Sequence, residues 1–186
     1  MNIKTFYCNP YRECTYIVEM HDGASKQCLI IDPGMYSDKE EQRVFDYIAQ
    51  QGLTPVAILI THHHPDHICG LESVQRRFPN LPIIDNAQCT MHGKAVDDAQ
   101  CTMQVIPTPG HKEDAVCFYF ENEKVLFSGD TLFQENVGRT DLPGGDMKTL
   151  IRSLETLKEL PEDTQVYPGH GNTTTIGHEK QYNPYF

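Results

Sequence analysis

The chain has 186 residues, 39% of them hydrophobic and 22% charged, the balance of an ordinary globular protein long enough to bury a core. A formal charge of −11 argues against the basic face that a nucleic-acid binder uses, and no apolar run approaches the roughly 20 residues of a bilayer span.

Taken in chain order, apolar and β-branched runs predict strands over 15–18 and 27–31. Ser37 and Glu40 then form a capping-box pair, Val44, Phe45 and Ile48 follow at helical spacing, and Gly52 is the stop, so a helix is expected between them. The continuous run Val56-Ala57-Ile58-Leu59-Ile60 reads as a buried strand. Leu71, Val74 and Phe78 predict a second helix, ended by Pro79. Further strands are expected over 82–84, 101–106, 115–120, 124–127 and 165–167. Asp146 caps a third helix whose apolar face is Leu150, Ile151, Leu154 and Leu157. Strands at both ends with helices interspersed predict an α+β domain of packed sheets covered by helices. The segment Ala87-Gln88-Cys89-Thr90-Met91 recurs at 99–103, but two copies do not make a repeat protein.

Met1 to Cys8 carries neither the apolar core nor the cleavage site of a secretory signal, so a cytoplasmic location is expected, with no membrane partner and no nucleic acid. The seven cysteines are Cys8, Cys14, Cys28, Cys69, Cys89, Cys101 and Cys117. Their number is odd and none forms a CxxC pair, which fits buried thiols in a reducing compartment.

The histidines carry the chemistry. Four of the nine stand at 62, 63, 64 and 67, directly after the 56–60 strand. In extended backbone His62 and His64 share a face while His63 points away, and Pro65 keeps His64 extended. Asp66 and His67 follow at the start of a helix. One histidine after a strand is ordinary; three with an aspartate at this spacing point to metal, and the two offset pairs suit two neighbouring ions. His21 and His92 lie in polar, turn-like sequence and are read as solvated, while His178 falls in a predicted C-terminal helix beside Glu179.

Thr61-His62-His63-His64-Pro65-Asp66-His67 resembles the THxHxDH signature of the metallo-β-lactamase superfamily. The other family motifs follow in order: Ile31-Asp32-Pro33-Gly34, Pro107-Thr108-Pro109-Gly110-His111, Phe127-Ser128-Gly129-Asp130-Thr131 and Tyr167-Pro168-Gly169-His170-Gly171. The resemblance implies a four-layer αββα sandwich, two sheets flanked by helices, in a single domain over 1–186. It further implies that one divalent ion takes His62, His64 and His111 and the second takes Asp66, His67 and His170, with Asp130 bridging. Zinc suits these donors best, and iron, manganese or nickel fit them too. Asp32 would support the metal loop by hydrogen bonds, although a turn aspartate ahead of Pro-Gly reads equally well as structural.

Within the superfamily, Phe127 to Phe133, Val137 to Asp141, Thr175 to Glu179 and Asn183-Pro184-Tyr185 resemble the short glyoxalase II-like hydrolases, and the C-terminal glutathione-binding helical domain of full-length glyoxalase II is not expected. That resemblance implies hydrolysis of a small (thio)ester such as a hydroxyacyl-glutathione, by a hydroxide shared between two ions, with Asp66 accepting the proton of the water that forms it. Asp130, where the lactamase branch carries a cysteine, points away from antibiotic hydrolysis. Arg139 and Lys112 are candidates for a substrate carboxylate; the bland reading of Arg139 is an ion pair with Asp141 or Asp146, and of Lys112 an exposed charge. Two alternatives stand beside the hydrolase. A mononuclear-iron persulfide dioxygenase shares the Gly138-Arg139-Thr140-Asp141 segment, and a non-catalytic metal-binding protein needs only the ligands. The oligomeric state is not readable from the sequence.

Overall fold

The computed structural model describes residues 1–21, 26–86, 96–98 and 101–186, which form two compact units, Met1–Ile84 and Asp85–Phe186. The first copy of the recurring five-residue segment, His92, and Ala99-Gln100 of the second copy lie outside the described residues.

The first unit is a five-stranded mixed sheet in sequential order: β1 (Asn2–Cys8), β2 (Glu13–His21), β3 (Lys26–Ile31), β4 (Thr54–Leu59) and β5 (Ile83–Ile84). β1, β2 and β3 pair antiparallel; β3, β4 and β5 pair parallel. A parallel connection needs a crossover, and α1 (Asp38–Gln51) supplies the first while α2 (Pro65–Ile68) and α3 (Leu71–Arg77) supply the second. α1 starts where its sequence says it should. The Glu40 carboxylate accepts from the Ser37 N–H at 3.2 Å and the Tyr36 N–H at 2.8 Å, and Gly52 closes the helix at φ 67. Val44 and Ile48 of α1 and Val74 of α3 bury against Ile17, Ile30 and Ile58 of the sheet, each worth roughly 1.5–3 kcal/mol of apolar burial. Because β3 and β4 run side by side in the same direction, Asp32 and Thr61 emerge together from their carboxyl ends, where open α/β sheets place their ligands.

The second unit is a six-stranded mixed sheet. In chain order its elements are β6 (Val96–Asp98), β7 (Cys101–Pro107), β8 (Val116–Phe120), β9 (Val125–Gly129), the hairpin β10 (Leu132–Phe133) and β11 (Asn136–Val137), α4 (Met147–Lys158), β12 (Gln165–Pro168), β13 (Thr174–Thr175) and α5 (Ile176–Tyr182). The sheet order is β13-β12-β9-β8-β7-β6, with β12 and β9 parallel and the other pairs antiparallel. Asp146 caps α4 by accepting from the Thr149 N–H at 2.7 Å. The expected stripe Leu150, Leu154 and Leu157 is buried against Cys117, Tyr119, Leu126, Val166 and Ile176.

The expected α+β class, two mixed sheets with flanking helices, is what the chain forms. Among the described residues, five strands lie beyond the predicted set: β1, β6, β10, β11 and β13. His21 ends strand β2 instead of standing in a turn. Among the described residues, no helix is long and apolar enough to cross a membrane.

Candidate metal centre

In the first unit the metal loop is fixed through its outer atoms. The Asp32 carboxylate accepts from the Thr61 N–H at 2.7 Å and from the Thr61 hydroxyl at 2.6 Å, and lies 3.0 Å from His67 Nδ1. All three residues are buried. A carboxylate cannot donate, so Nδ1 of His67 carries the proton and Nε2 is the ligand nitrogen. Thr61 Oγ1 has given its hydrogen to Asp32, so in its 3.1 Å contact with His62 the ring Nδ1–H is the donor, which leaves Nε2 as the ligand atom. His62 Nε2 faces His64 Nδ1 at 3.0 Å, while His63 is exposed. His64 is extended (φ −77, ψ 145), as Pro65 requires. Asp66 Oδ2 lies 4.0 Å from His67 Nε2.

Two residues of this unit escaped the sequence reading. Glu13 is fully buried: Oε2 accepts from Thr15 Oγ1 at 2.9 Å, while Oε1 has no hydrogen-bond partner among the described residues. Burial pushes its carboxyl well above the ordinary 4.5, partly opposed by His67. Glu13, Asp32 and His67 each offer a ligand-type atom within 4.8 Å of the others. Asn9 donates to the backbone carbonyls of Gly34 at 3.0 Å and Asp66 at 2.8 Å. A charged residue directly ahead of the run Cys14-Thr15-Tyr16-Ile17-Val18 is the signal the sequence offers for Glu13.

The second unit gathers His111, Asp130 and His170. Asp130 follows β9, where Gly129 turns the chain at φ 50 and its carbonyl accepts the Gly169 N–H at 2.8 Å. That bond sets His170, at the end of β12, beside Asp130: His170 Nε2 lies 3.7 Å and His111 Nε2 3.5 Å from Asp130 Oδ2. His111 Nδ1 donates to the Arg139 carbonyl at 2.7 Å, so here too Nε2 is the ligand nitrogen. α4 pins the His111 loop. The Gly110 carbonyl accepts the Asp146 N–H at 2.8 Å, the Pro109 carbonyl accepts the Ser153 hydroxyl at 2.6 Å, and Gly110 itself (φ 141) leaves no room for a Cβ against Leu150.

Arg139 forms a bidentate pair with Asp141 at 2.7 and 2.8 Å, with the two side chains 61% and 68% exposed. The pair holds the Asp141 carboxyl at about 2. Lys112 lies 2.8 Å from Asp114. His178, on α5, lies 2.9 Å from Glu135.

These donors fit a metal on geometric grounds. Two ligand atoms about 2.0–2.2 Å from a tetrahedral zinc stand about 3.4 Å apart. The 3.5 and 3.7 Å separations around Asp130 Oδ2 are too long for good hydrogen bonds and close to that value. Imidazole and carboxylate donors suit zinc or iron, and outer hydrogen bonds of the Asp32–His67 type are those that orient metal-binding histidines.

Residues 13–100 and 102–170 match the family model of the metallo-β-lactamase superfamily. The probable metallo-hydrolase YqgX of Bacillus subtilis (strain 168) is 35% identical over 188 residues, 86% of this chain and 87% of that protein. The hydroxyacylglutathione hydrolase of Pectobacterium atrosepticum is 34% identical over 172 residues, 88% of this chain and 64% of that protein. Among solved structures, the BLEG-1 B3 metallo-β-lactamase superposes with a TM-score of 0.84 at 33% identity, covering 99% of each chain. TTHA1623 in a di-iron-bound form superposes with a TM-score of 0.83 at 31% identity, covering 98% of this chain and all of that one. The chain belongs to the metallo-β-lactamase superfamily.

Proposed function

We propose that this metallo-hydrolase cleaves a thioester of the hydroxyacyl-glutathione type with two divalent ions. His62, His64 and His111 hold the first ion, Asp66, His67 and His170 the second, and Asp130 is shared. The observation that carries this reading is the state of the ligand imidazoles. His67 and His111 are each engaged through Nδ1, which commits Nε2 to the ion, and Asp130 stands at ligand-to-ligand distance from His111 and His170. Family membership across residues 13–170 supports joining the two sets into one centre.

When bound, two such ions polarise an acyl carbonyl and bring the pKa of water near 7. The chain supplies the rest. Asp66, whose carboxylate lies beside His67, takes the proton of the attacking water. Asp32 fixes the His67 imidazole and Thr61 lies against that of His62, which limits the reorganisation of these two ligands during turnover. The exposed Arg139 and the partly buried Lys112 offer cations to a substrate carboxylate, which has to compete with Asp141 and Asp114 for them.

The thioester is favoured by the hydroxyacylglutathione hydrolase relative and by the motifs after Asp130. The likeness to a B3 metallo-β-lactamase makes a β-lactam amide the second acyl substrate to test. Zinc is the proposed metal, and the di-iron form of TTHA1623 makes iron its rival. The proposed setting is the cytoplasm, where Cys8, Cys14, Cys28 and Cys117, all buried and unbridged, stay reduced. The test is elemental analysis of the purified protein, then hydrolysis of S-lactoylglutathione and of a chromogenic cephalosporin with and without chelator. Two metals per chain and chelator-sensitive thioester cleavage are expected. One iron per chain with oxygen uptake on glutathione persulfide would overturn the reading, and so would a fully metallated protein inert on both acyl substrates.

A further inference from the structure

Asn9 stands in the turn between β1 and β2 with φ 50, a left-handed conformation that asparagine tolerates better than most residues. Every part of it is engaged. Its N–H donates to the Glu40 carboxylate at 3.0 Å, and its side-chain oxygen accepts the Tyr11 N–H at 3.0 Å. The two hydrogens of Nδ2 go to separate segments, the Gly34 carbonyl at 3.0 Å and the Asp66 carbonyl at 2.8 Å. Gly34 belongs to the loop that carries Asp32, and Asp66 is a proposed ligand. One amide thus spans the supporting loop and the metal loop.

The Asp66 carbonyl is also approached by the Cys69 thiol, more distantly at 3.9 Å. α2 is only four residues long. In a longer helix the Gly70 N–H would return to the Asp66 carbonyl, four residues back. Here it donates to the Pro33 carbonyl instead, at 2.8 Å. The approach is also tight. A Cβ on Gly34 would lie 2.3 Å from the Asp66 carbonyl oxygen and 2.1 Å from Glu13 Oε2, so the two loops meet with no side chain between them. Gly34 is held on its other side by the Thr15 hydroxyl, which accepts its N–H at 3.0 Å.

We propose that Asn9 is a positioning residue for the second metal: it fixes the backbone at Asp66 and, through it, the direction of the Asp66 carboxylate. This rests on the two-metal reading above. His62 and His64, on the first metal, are linked to the clamp through Asp32 and Thr61 and not at their own backbone, so the first site is expected to feel its loss less.

The test is a zinc titration of metal-free protein against a competing chromophoric chelator, comparing wild type with Asn9→Gly and Asn9→Asp. Glycine keeps the left-handed backbone and removes only the amide. Aspartate keeps the shape but turns acceptors on two carbonyl oxygens. Tyr47→Phe, which removes a remote hydrogen bond from Tyr47 to Glu19, is the structural control. Both Asn9 variants are expected to bind the second zinc about 10–100-fold more weakly, the range for lost supporting hydrogen bonds, with first-zinc affinity within about twofold of wild type. Tyr47→Phe is expected to leave both steps unchanged. Wild-type affinity for both ions in Asn9→Gly overturns the proposal, as does an equal loss at both steps that follows the melting temperature of the metal-free protein. A wild-type chain that takes one zinc overturns the proposal and the two-metal reading together. A chain that binds two zincs yet leaves S-lactoylglutathione intact sinks only the substrate assignment, and the split between the two steps still upholds Asn9.

Discussion

Asp32 holds His67 by its Nδ1 at 3.0 Å, with both side chains buried, and the same carboxylate takes the Thr61 N–H and hydroxyl. The contact decides which imidazole nitrogen faces a metal. In Asp32→Asn the amide NH2 can turn towards Nδ1 and donate to it, which moves the ring proton to Nε2 and blocks the ligand position. Asp32→Asn is therefore expected to be as damaging as Asp32→Ala, each weakening zinc binding about 10–100-fold in a chelator competition. An asparagine variant with wild-type affinity would show that the carboxylate is structural only.

Gly138 and Gly52 predict opposite outcomes from the same substitution. A Cβ on Gly138 would lie 1.9 Å from the Asp130 carbonyl oxygen and 3.0 Å from His111 Nδ1, so Gly138→Ala has to displace backbone beside two proposed ligands. We expect it to cost roughly 1–3 kcal/mol of overpacking strain and to weaken metal binding. Gly52 has φ 67 and nothing within 4 Å of its added Cβ. Gly52→Ala is expected to cost only the left-handed backbone penalty, roughly 1–2 kcal/mol, with metal affinity unchanged. Thermal melts paired with zinc titration separate the two, and equal metal loss in both variants would refute the placement of Gly138.

Thiol chemistry should follow burial. Burial pushes the Cys8, Cys28 and Cys117 thiols up to about 12, so below pH 9 they hold almost no thiolate in the folded chain. Cys69 is exposed, and although desolvation raises its thiol too, and the thiol donates to the Gly34 carbonyl at 3.0 Å, a reagent can reach it. Brief iodoacetamide treatment at pH 8, read by peptide mapping, is expected to modify Cys69 and to spare Cys8, Cys28 and Cys117 until denaturant is added. Modification of Cys117 in the folded protein would contradict its packing under α4.

The elements legible in the sequence are those whose signal is local. The Ser37–Glu40 pair, the Gly52 stop and the Asp146 cap are side-chain-to-backbone chemistry within four residues, and each stands where the spacing puts it. The strands β10, β11 and β13 have two residues each, too few for any alternation to register. β1 alternates only weakly, because Lys4 and Tyr7 face out while Ile3 and Thr5 are merely half-buried. The same division runs through the candidate site. His62 and His64 share a face because an extended backbone makes them do so, which two-residue spacing predicts. Asn9 and Glu13 reach the metal loop across 57 and 54 positions of chain, a relationship created by the pairing of β2 with β3 and of β3 with β4.

Glu13 gives the last prediction, in the pH dependence of the metal-free protein. Its carboxyl is raised above the ordinary 4.5, chiefly by burial, so the folded chain retains a proton that the unfolded chain releases. The linkage sign follows. The Glu13 contribution to stability is fully present below about pH 4.5 and is lost as pH rises through the folded-state value, with a limiting slope of about 1.4 kcal/mol per pH unit. Glu13→Gln keeps the shape and cannot ionise, so its stability relative to wild type is expected to grow as pH rises from about 4.5 and then to level off. Denaturant melts of both proteins at several pH values in the presence of chelator measure the difference directly. Parallel curves would mean that Glu13 ionises in the folded chain as readily as in the unfolded one, and that its buried Oε1 has found a partner in solution.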